Sequence, residues 1–140
     1  PGISRQIMIL DGPLKLEHTG RYTKILQKFE SDSFMGDWET KGYGKVRDFN
    51  LMTKGKAEGS LSGMFLNKAE SMNLLQDNPH QSFGLCPCKG KLLVKVNYES
   101  LTISEKDFLF IPFSEKITEI NITAIEDSEL VITKVNLLID

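Results

Sequence analysis

The chain has 140 residues, of which 40% are hydrophobic and 26% are charged, and its formal net charge is -2. This composition is ordinary for a soluble protein, and the length suits a single domain, residues 1–140, with a real hydrophobic core. The lysines are scattered among acids, so no basic surface or tail indicates nucleic acid as a partner. No apolar run approaches the ~18 residues of a membrane span, so no membrane partner is expected.

The N-terminus and the cysteines favour a cytoplasmic protein. The chain begins at Pro1 without the basic and apolar regions of a signal peptide. Its two cysteines, Cys86 and Cys88, are separated by one residue. A disulfide between residues so close is strained, and reduced thiols are typical of the cytosol.

In the N-terminal half, apolar residues alternate with polar ones, which indicates β-strands. Residues 7–10 run into Asp11-Gly12-Pro13, and Leu14, Leu16 and His18 then alternate with polar residues up to Gly20. This pattern predicts a β-hairpin. A third strand is predicted at residues 25–29 and ends in the polar group 30–33. A long turn region follows, and a further strand is predicted at residues 61–66.

The C-terminal half contains four more strand-like runs, at residues 92–98, 108–111, 117–125 and 130–139, separated by turn residues. Seven or more short strands without a helical pattern predict an all-β sandwich or barrel. Residues 67–77 permit two interpretations. Asn67 with Glu70 fits a capping box that opens a short helix, whereas Leu66 and the apolar residues at 72–75 also fit an irregular strand pair.

Polar and aromatic residues are concentrated in one turn-rich stretch, where polar groups are often placed for function. Phe34-Met35-Gly36-Asp37-Trp38 is followed after a short gap by residues 44–52, which include Asp48, Phe49 and Asn50. The two segments together offer acids, an amide and aromatic rings. They are the candidate functional region of the chain.

Four short motifs in this order resemble the HutD/Ves family. Pro1 to Arg5 match its Pro-Gly-Ile-x-Arg segment, and Leu10 to Gly12 match a strand ending in Leu-x-Gly. Phe34 to Asp37 match its Phe-x-Gly-Asp element, and Asp48 to Met52 match Asp-Phe-Asn-Leu-Met. The resemblance implies a cupin-like antiparallel β-barrel or jelly roll. It also implies an association with histidine utilisation in bacteria, without an established catalytic activity. Family members usually carry an upstream segment with Trp, Asn and a glycine cluster, whereas this sequence starts at the motif that follows it. We therefore expect the chain to be either a fragment or a shortened member of the family.

Arg5 and Asp48 each have two interpretations. The planar guanidinium of Arg5 can grip a carboxylate in a bidentate manner, or it can form an ion pair with Asp37 or Asp48. Asp48, next to Phe49, is expected to be at least partly buried and therefore paired, because a buried lone carboxylate is costly. It either accepts backbone N–H bonds in a turn, which we favour, or contacts a ligand.

Asn50 is expected to share a strand face with Asp48 and Met52. Its amide either forms hydrogen bonds to a polar ligand or satisfies backbone groups at a β-bulge. Trp38 is more simply a hydrophobic plug than a stacking platform, and Phe34 is most simply core. The candidate ligand-binding residues are therefore Arg5, Phe34, Asp37, Trp38, Asp48 and Asn50.

Metal-dependent catalysis is the main rival interpretation. Many cupin enzymes hold a metal with a His-x-His pair, but this chain has only His18 and His80 and no such pair. Cys86 and Cys88 near His80 are a weak zinc signal, since a second cysteine pair is missing. We expect no metal, no cofactor and no catalytic residue, although enzyme activity stays open.

Taken with the resemblance, these residues predict a non-enzymatic regulator that binds a small polar or anionic metabolite, such as the histidine-breakdown compounds urocanate or formylglutamate. Arg5 would bind the carboxylate of the metabolite, and Asn50 and Asp48 would form hydrogen bonds with its remaining polar atoms. Phe34 or Trp38 would cover the apolar part. Two alternatives are kept: a metal-dependent cupin enzyme, and a ligand-free interaction module that pairs as a homodimer.

Overall fold

A computed structural model describes residues 2–76, 80–117 and 119–138, and every regular element in this part of the chain is a β-strand. In chain order the strands are β1 Ile3–Asp11, β2 Leu14–His18, β3 Tyr22–Leu26, β4 Ser31–Met35, β5 Thr40–Tyr43, β6 Arg47–Lys54, β7 Ala57–Leu66, β8 Ser71–Leu74, β9 Gln81–Lys89, β10 Lys91–Val96, β11 Glu99–Ser104, β12 Leu109–Ile111, β13 Ile120–Ala124 and β14 Ser128–Leu137. No helix in these residues is long and apolar enough to cross a membrane.

The chain divides into two compact units, one ending at Leu61 and the other beginning at Ser62. The expectation that the chain is a single domain therefore stays a prediction. The first unit contains two three-stranded antiparallel sheets, in the orders β4-β1-β6 and β3-β2-β5.

The predicted hairpin of β1 and β2 is wrong. Both edges of β1 are already paired, with β4 on one side and β6 on the other. No edge of β1 remains for β2, which pairs with β3 and β5 instead. The short Gly12-Pro13 connection therefore carries the chain from one sheet to the other rather than back along the same sheet.

The core of the first unit follows from strand alternation. Alternate residues of β1 and β2 point inward, because successive side chains of a strand lie on opposite faces. The buried apolar cluster consists of Ile7, Ile9, Leu14, Leu16, Leu26 and Phe34. Trp38 and Val46 pack against it from partly exposed positions. His18 continues the alternation of β2 and is 1% exposed, so a polar ring occupies a core position.

The second unit contains the four-stranded sheet β11-β10-β13-β8 and most of a second one, β12-β9-β14-β7, whose strand β7 begins at Ala57 in the first unit. Its apolar core is larger and is built from inward-facing residues of both sheets such as Phe83, Leu85, Leu92, Ile122 and Leu130. The strands predicted at residues 61–66, 92–98 and 108–111 are confirmed over 61–66 in β7, 92–96 in β10 and 109–111 in β12. Those predicted at 117–125 and 130–139 are confirmed over 120–124 in β13 and 130–137 in β14, and Thr118 and Ile139 lie outside the described residues.

The ambiguous segment that begins at Asn67 is a turn followed by strand β8. The backbone N–H of Asn67 donates to Oε1 of Glu70 at 3.3 Å, and the N–H of Glu70 donates back to the carbonyl of Asn67 at 2.9 Å. This is the contact that suggested a capping box. The chain nevertheless extends directly into Ser71–Leu74, which pairs with β13, so the strand interpretation is confirmed for the described residues up to 76.

Candidate functional site

Arg5 lies in the middle strand of its sheet, between Phe34 of β4 and Met52 of β6. Its side chain is half-buried, and its guanidinium carbon lies 5.1 Å from the centre of the Phe34 ring. A guanidinium over an aromatic face is a favourable cation–π arrangement. The buried ring of Phe34 therefore supports one face of the charged group and restricts its orientation.

Asn50 links Arg5 to Asp48. Nη2 of Arg5 donates to Oδ1 of Asn50 at 3.1 Å, and Nδ2 of Asn50 donates to Oδ1 of Asp48 at 3.3 Å. Both neighbours require the same orientation of the amide, because a guanidinium can only donate and a carboxylate can only accept. Asn50 thus holds the guanidinium in place and separates it from the nearest carboxylate on the same strand face.

The positive charge of Arg5 has no carboxylate partner within ion-pair distance among the described residues, so the second of its two interpretations, an ion pair with Asp37 or Asp48, does not hold. Its Nε–H is buried and has no acceptor in the described part of the chain. A buried donor without an acceptor costs about 1–3 kcal/mol. The guanidinium is held in place by neutral groups and is short of acceptors, an arrangement suited to an anion at its remaining Nη hydrogens.

The environment of Asp48 differs from the expectation. Asp48 is exposed and lies within strand β6, whereas partial burial and a role in a turn were expected. The predicted alternation is confirmed, because Asp48, Asn50 and Met52 are exposed while the residues between them are half-buried. Strand pairing places these three residues beside Ile9, Ile7 and Arg5 respectively, so they share the face of the sheet that carries Arg5.

A second polar group lies inside the first unit, between the two sheets. Nε2 of the buried His18 lies 2.7 Å from Oδ2 of Asp32, and Nδ1 lies 2.8 Å from Oγ1 of Thr40. The hydroxyl of Tyr22 donates to both carboxylate oxygens of Asp32 at 3.0 Å. Lys24 approaches Asp32 only to 3.9 Å from a largely exposed position. Both ring nitrogens of His18 and both oxygens of Asp32 are satisfied, as buried polar groups require.

Aromatic rings surround His18. Its ring centroid lies 4.6 Å from those of Tyr22 and Phe34 and 5.4 Å from that of Trp38. The guanidinium of Arg21 covers the Trp38 ring at 4.1 Å. Phe34 therefore contacts both the half-buried guanidinium of Arg5 and the imidazole of His18, and it lies between the two polar groups.

The surroundings of Tyr22 make its phenol less acidic. Burial of the phenol raises the pKa of Tyr22 above its ordinary value, and the hydrogen bond to Asp32 and the negative charge of that carboxylate raise it further. The phenol therefore stays protonated at neutral pH and acts as a donor to Asp32.

The structure brings four of the six sequence-predicted residues together, namely Arg5, Phe34, Asp48 and Asn50. Trp38 instead packs against His18 and Tyr22, with Arg21 over its ring, so the interpretation as a hydrophobic plug fits its position. Asp37 is an exposed residue of the turn that follows β4. Whether any of the six residues contacts a ligand stays a prediction.

Sequence reasoning missed the network of His18, Asp32, Tyr22 and Thr40. Asp32 was assigned to a polar segment that ends a strand, whereas it lies inside β4 and is 7% exposed. The available signal was the alternation of β2, which places His18 on the same face as Leu14 and Leu16. A buried histidine requires polar partners, but the sequence did not identify Asp32 as one of them.

No cluster of three or more histidine, cysteine, aspartate or glutamate side chains arranged to hold a metal ion occurs in the described residues. Cys86 and Cys88 lie in strand β9, the first half-buried and the second buried, and no disulfide joins them.

Sequence and structure comparisons give a consistent result. A family model described as HutD matches residues 1–132. No curated protein matches the sequence. Among solved structures, a conserved protein of unknown function from Pseudomonas aeruginosa PAO1 is 18% identical, with a TM-score of 0.83. The match covers 98% of this chain and 74% of the Pseudomonas aeruginosa chain. HutD from Pseudomonas fluorescens SBW25, solved in a formate condition, is 18% identical, with a TM-score of 0.66. The match covers 98% of this chain and 70% of that HutD chain.

A more distant likeness extends to a salicylate 1,2-dioxygenase variant from Pseudoaminobacter salicylatoxidans. It is 7% identical with a TM-score of 0.57, covering 95% of this chain and 64% of its own. Identities this low show the fold alone. Together with the all-β, antiparallel strands, these likenesses confirm the expected cupin-like architecture.

Proposed function

The chain belongs to the HutD family, and we propose that it is a non-enzymatic regulator of histidine utilisation that binds a small carboxylate at Arg5. The observation that carries this proposal is the half-buried guanidinium, which Asn50 and Phe34 hold in place and no carboxylate of the described residues neutralises. Family membership and the likeness to HutD from Pseudomonas fluorescens support the regulatory part. The same proposal assigns the protein to the bacterial cytoplasm.

In the proposed complex, the carboxylate accepts hydrogen bonds from the Nη groups of Arg5 that do not contact Asn50. A charge-assisted, planar contact of this kind is among the stronger hydrogen-bonding arrangements in proteins. Asn50 and Asp48 lie on the same strand face and are exposed, so they can read polar atoms on the rest of the ligand. The carboxylate of Asp48 also disfavours a second negative charge at that position, which favours a ligand with a polar or donor group there.

The ligand class follows from this arrangement together with the family. Urocanate carries one carboxylate and a polar imidazole, whereas formylglutamate carries two carboxylates, so the carboxylate of Asp48 favours urocanate of the two. Formate is the smallest probe of the carboxylate contact. The HutD structure from Pseudomonas fluorescens was solved in a formate condition, which makes formate a natural first probe. The rim of the site is polar, so we expect polar extensions of the ligand to be favoured over apolar ones.

The test is calorimetric titration and thermal unfolding of the chain with formate, urocanate and formylglutamate, in parallel with Arg5→Ala and Arg47→Ala. A hydrogen bond to a charged group contributes roughly 1.5–3 kcal/mol, so Arg5→Ala should weaken binding at least about tenfold. Arg47 is an exposed arginine of the same strand as Asn50, and its replacement controls for the loss of one positive charge.

Binding that is lost in Arg5→Ala and kept in Arg47→Ala supports the proposal. A ligand at about a hundred times its dissociation constant stabilises the folded state by about 2.7 kcal/mol, which thermal unfolding detects readily. Equal affinity in the two variants would reject Arg5 as the carboxylate site, and the absence of any carboxylate binding by the chain would reject the function itself.

A further inference from the structure

A cleft of about 360 Å³ lies in the second unit, far along the sequence from Arg5. It opens between the edge strands of the two sheets, β11 on one side and β12 on the other. Its apolar lining consists mainly of Val94, Val96, Leu101, Leu109, Ile111 and Ile117. Its volume is at the low end of the range of roughly 300–1,000 Å³ for small-molecule pockets.

Strand pairing shows that the cleft belongs to the interior of the unit. Val94 pairs with Leu101, and Val96 pairs with Glu99. Directly paired residues face the same side of a sheet, and Val94 is 1% exposed, so Leu101 and Glu99 also face inward. Leu101 is nevertheless 51% exposed. An inward-facing leucine that is half open to solvent marks a place where the two sheets separate.

The opposite wall comes from strand β12. Leu109 pairs with Leu85 and Ile111 pairs with Phe83, and both partners are buried in the core. Leu109 and Ile111 therefore face inward too, toward Val94 and Leu101 across the opening. The floor of the cleft is the packed core of the unit, while its outer part is empty. A small apolar body in this outer part would extend the core.

The charge around the cleft has one sign. Among the described residues that line the cleft and its extension, Glu99 is the one carboxylic acid, and none is a lysine or an arginine. Glu99 forms no ion pair with the described residues. Glu119 lies close by, since its backbone N–H donates to Oδ1 of Asn97 at 3.1 Å. Lys116 is tied to Asn97 only through its backbone carbonyl, at 2.7 Å, and does not line the cleft.

An exposed aromatic ring adds a preference of the same kind. Tyr98 lines the extension of the cleft toward Asn97 and Pro112 and is fully exposed. Aromatic faces attract cations, so the ring of Tyr98 and the carboxylate of Glu99 favour the same type of group.

We propose that this cleft binds a small organic cation, an ammonium group carried on an aromatic or branched aliphatic body. The apolar body occupies the space between Val94, Leu101 and Leu109, and the ammonium group lies beside the carboxylate of Glu99. This site is independent of the carboxylate site at Arg5 and requires a ligand of opposite charge.

The probe is phenethylamine, with 3-phenylpropionate and 2-phenylethanol as comparators of similar size and negative or zero charge. Amide NMR spectra of the whole chain are recorded during titration with each compound. We expect phenethylamine to shift the signals of strands β10, β11 and β12. It should bind more tightly than 2-phenylethanol, and 3-phenylpropionate should bind most weakly, because the cleft carries a negative charge.

Two variants and one control test the residues. Because Glu99 is exposed, Glu99→Gln leaves the fold intact and should weaken phenethylamine binding about two- to fivefold, the range for an exposed ion pair. Glu105→Gln makes the same substitution in an exposed turn outside the cleft and should leave the affinity for phenethylamine unchanged. Val96→Phe should fill the cleft and abolish binding.

Equal affinity for phenethylamine and 3-phenylpropionate would overturn the assignment of a cation. Amide shifts that map outside strands β10, β11 and β12 would contradict the location of the site. Equal effects of Glu99→Gln and Glu105→Gln on the affinity for phenethylamine would contradict the role of Glu99. Because Glu99→Gln and the three compounds need no change in the core, the test stands even where Val96→Phe disturbs folding. The effect of Arg5→Ala on carboxylate binding does not bear on this result, so the proposals for the two sites are tested independently.

Discussion

Nε2 of His18 lies 2.7 Å from Oδ2 of Asp32, and this contact joins strand β2 to strand β4, which belong to different sheets of the first unit. Both side chains are nearly inaccessible to solvent, at 1% and 7% exposure of the residues. A polar contact between sheets specifies how they pack more narrowly than apolar contacts alone, because each buried donor must meet an acceptor.

Replacing Asp32 should destabilise the protein strongly. Asp32→Ala removes the acceptor for Nε2 of the buried His18, and an unsatisfied buried group costs about 1–3 kcal/mol. The hydroxyl of Tyr22 also loses its acceptor, but Tyr22 is 39% exposed, so water can replace that contact. We expect the free energy of unfolding to fall by about 1–3 kcal/mol, measured by urea denaturation. Asp37→Ala removes an exposed carboxylate and should change it by less than about 0.5 kcal/mol. Similar values for the two variants would show that the contact between sheets contributes little.

Tyr22 should make stability depend on pH at the alkaline end. Its pKa in the folded protein is raised above the unfolded value of about 10. Below the unfolded pKa both states keep the proton, and the contribution of the phenol to stability is fully present. As pH rises past it, the unfolded state releases the proton first, so this contribution is lost as pH approaches and passes the folded pKa.

Tyr22→Phe should therefore give a shallower decline of stability above pH of about 10, measured by urea unfolding at several pH values. Tyr98→Phe, at a fully exposed tyrosine, is the matched control and should follow the unmodified protein. A decline of the same steepness in all three proteins would assign the alkaline sensitivity to other groups.

Asn50→Asp should separate binding from stability at the carboxylate site. The new carboxylate would lie where Oδ1 of Asn50 now accepts from Arg5 at 3.1 Å, and would neutralise the guanidinium. Because an exposed ion pair is worth about 0–1 kcal/mol, the unfolding free energy should change by no more than about 1 kcal/mol. Carboxylate binding should be lost, measured by calorimetry.

The control for this substitution is Asn67→Asp, which adds the same charge at an exposed asparagine of the second unit. It should bind carboxylates as the unmodified chain does. Undiminished binding in Asn50→Asp would contradict the placement of the anion beside Arg5.

Gly90 should tolerate alanine less well than Gly20. Both have positive φ, +87 and +74, a conformation that costs alanine roughly 1–2 kcal/mol. A Cβ at Gly20 would meet nothing within 4 Å, whereas at Gly90 it would lie 2.5 Å from the carbonyl oxygen of Asp127 and collide with Oγ of Ser128. That hydroxyl is held by hydrogen bonds to Lys91 and Glu126, so it cannot move freely.

We expect Gly20→Ala to lower the unfolding free energy by about 1 kcal/mol and Gly90→Ala by about 3 kcal/mol or more, since strain and steric overlap add at the second position. Thermal unfolding of the two variants measures the difference. Equal losses would mean that the turn between β9 and β10 relaxes around the added methyl group.

Much of the fold and part of the site could be predicted from the sequence. Alternation placed Leu14, Leu16 and His18 on one face of a strand, and Asp48, Asn50 and Met52 on one face of another, because the two-residue repeat of a strand is local. The motifs at Arg5, Phe34 and Asp48 predicted the family, and three of the residues that contact one another at Arg5 lie within these motifs. These are properties of short stretches of chain.

Tertiary structure alone decided which strands pair and which polar groups meet. The turn at Asp11-Gly12-Pro13 predicted a hairpin, but β1 pairs with β4 and β6, and the choice among strand partners depends on the burial of whole sheets. Arg5 meets Asn50 across 45 positions of sequence, and His18 meets Asp32 across 14 positions and between two sheets. The sequence by itself determined the faces of the strands, whereas sheet packing determined that Asp32 is buried and that Asp48 is exposed.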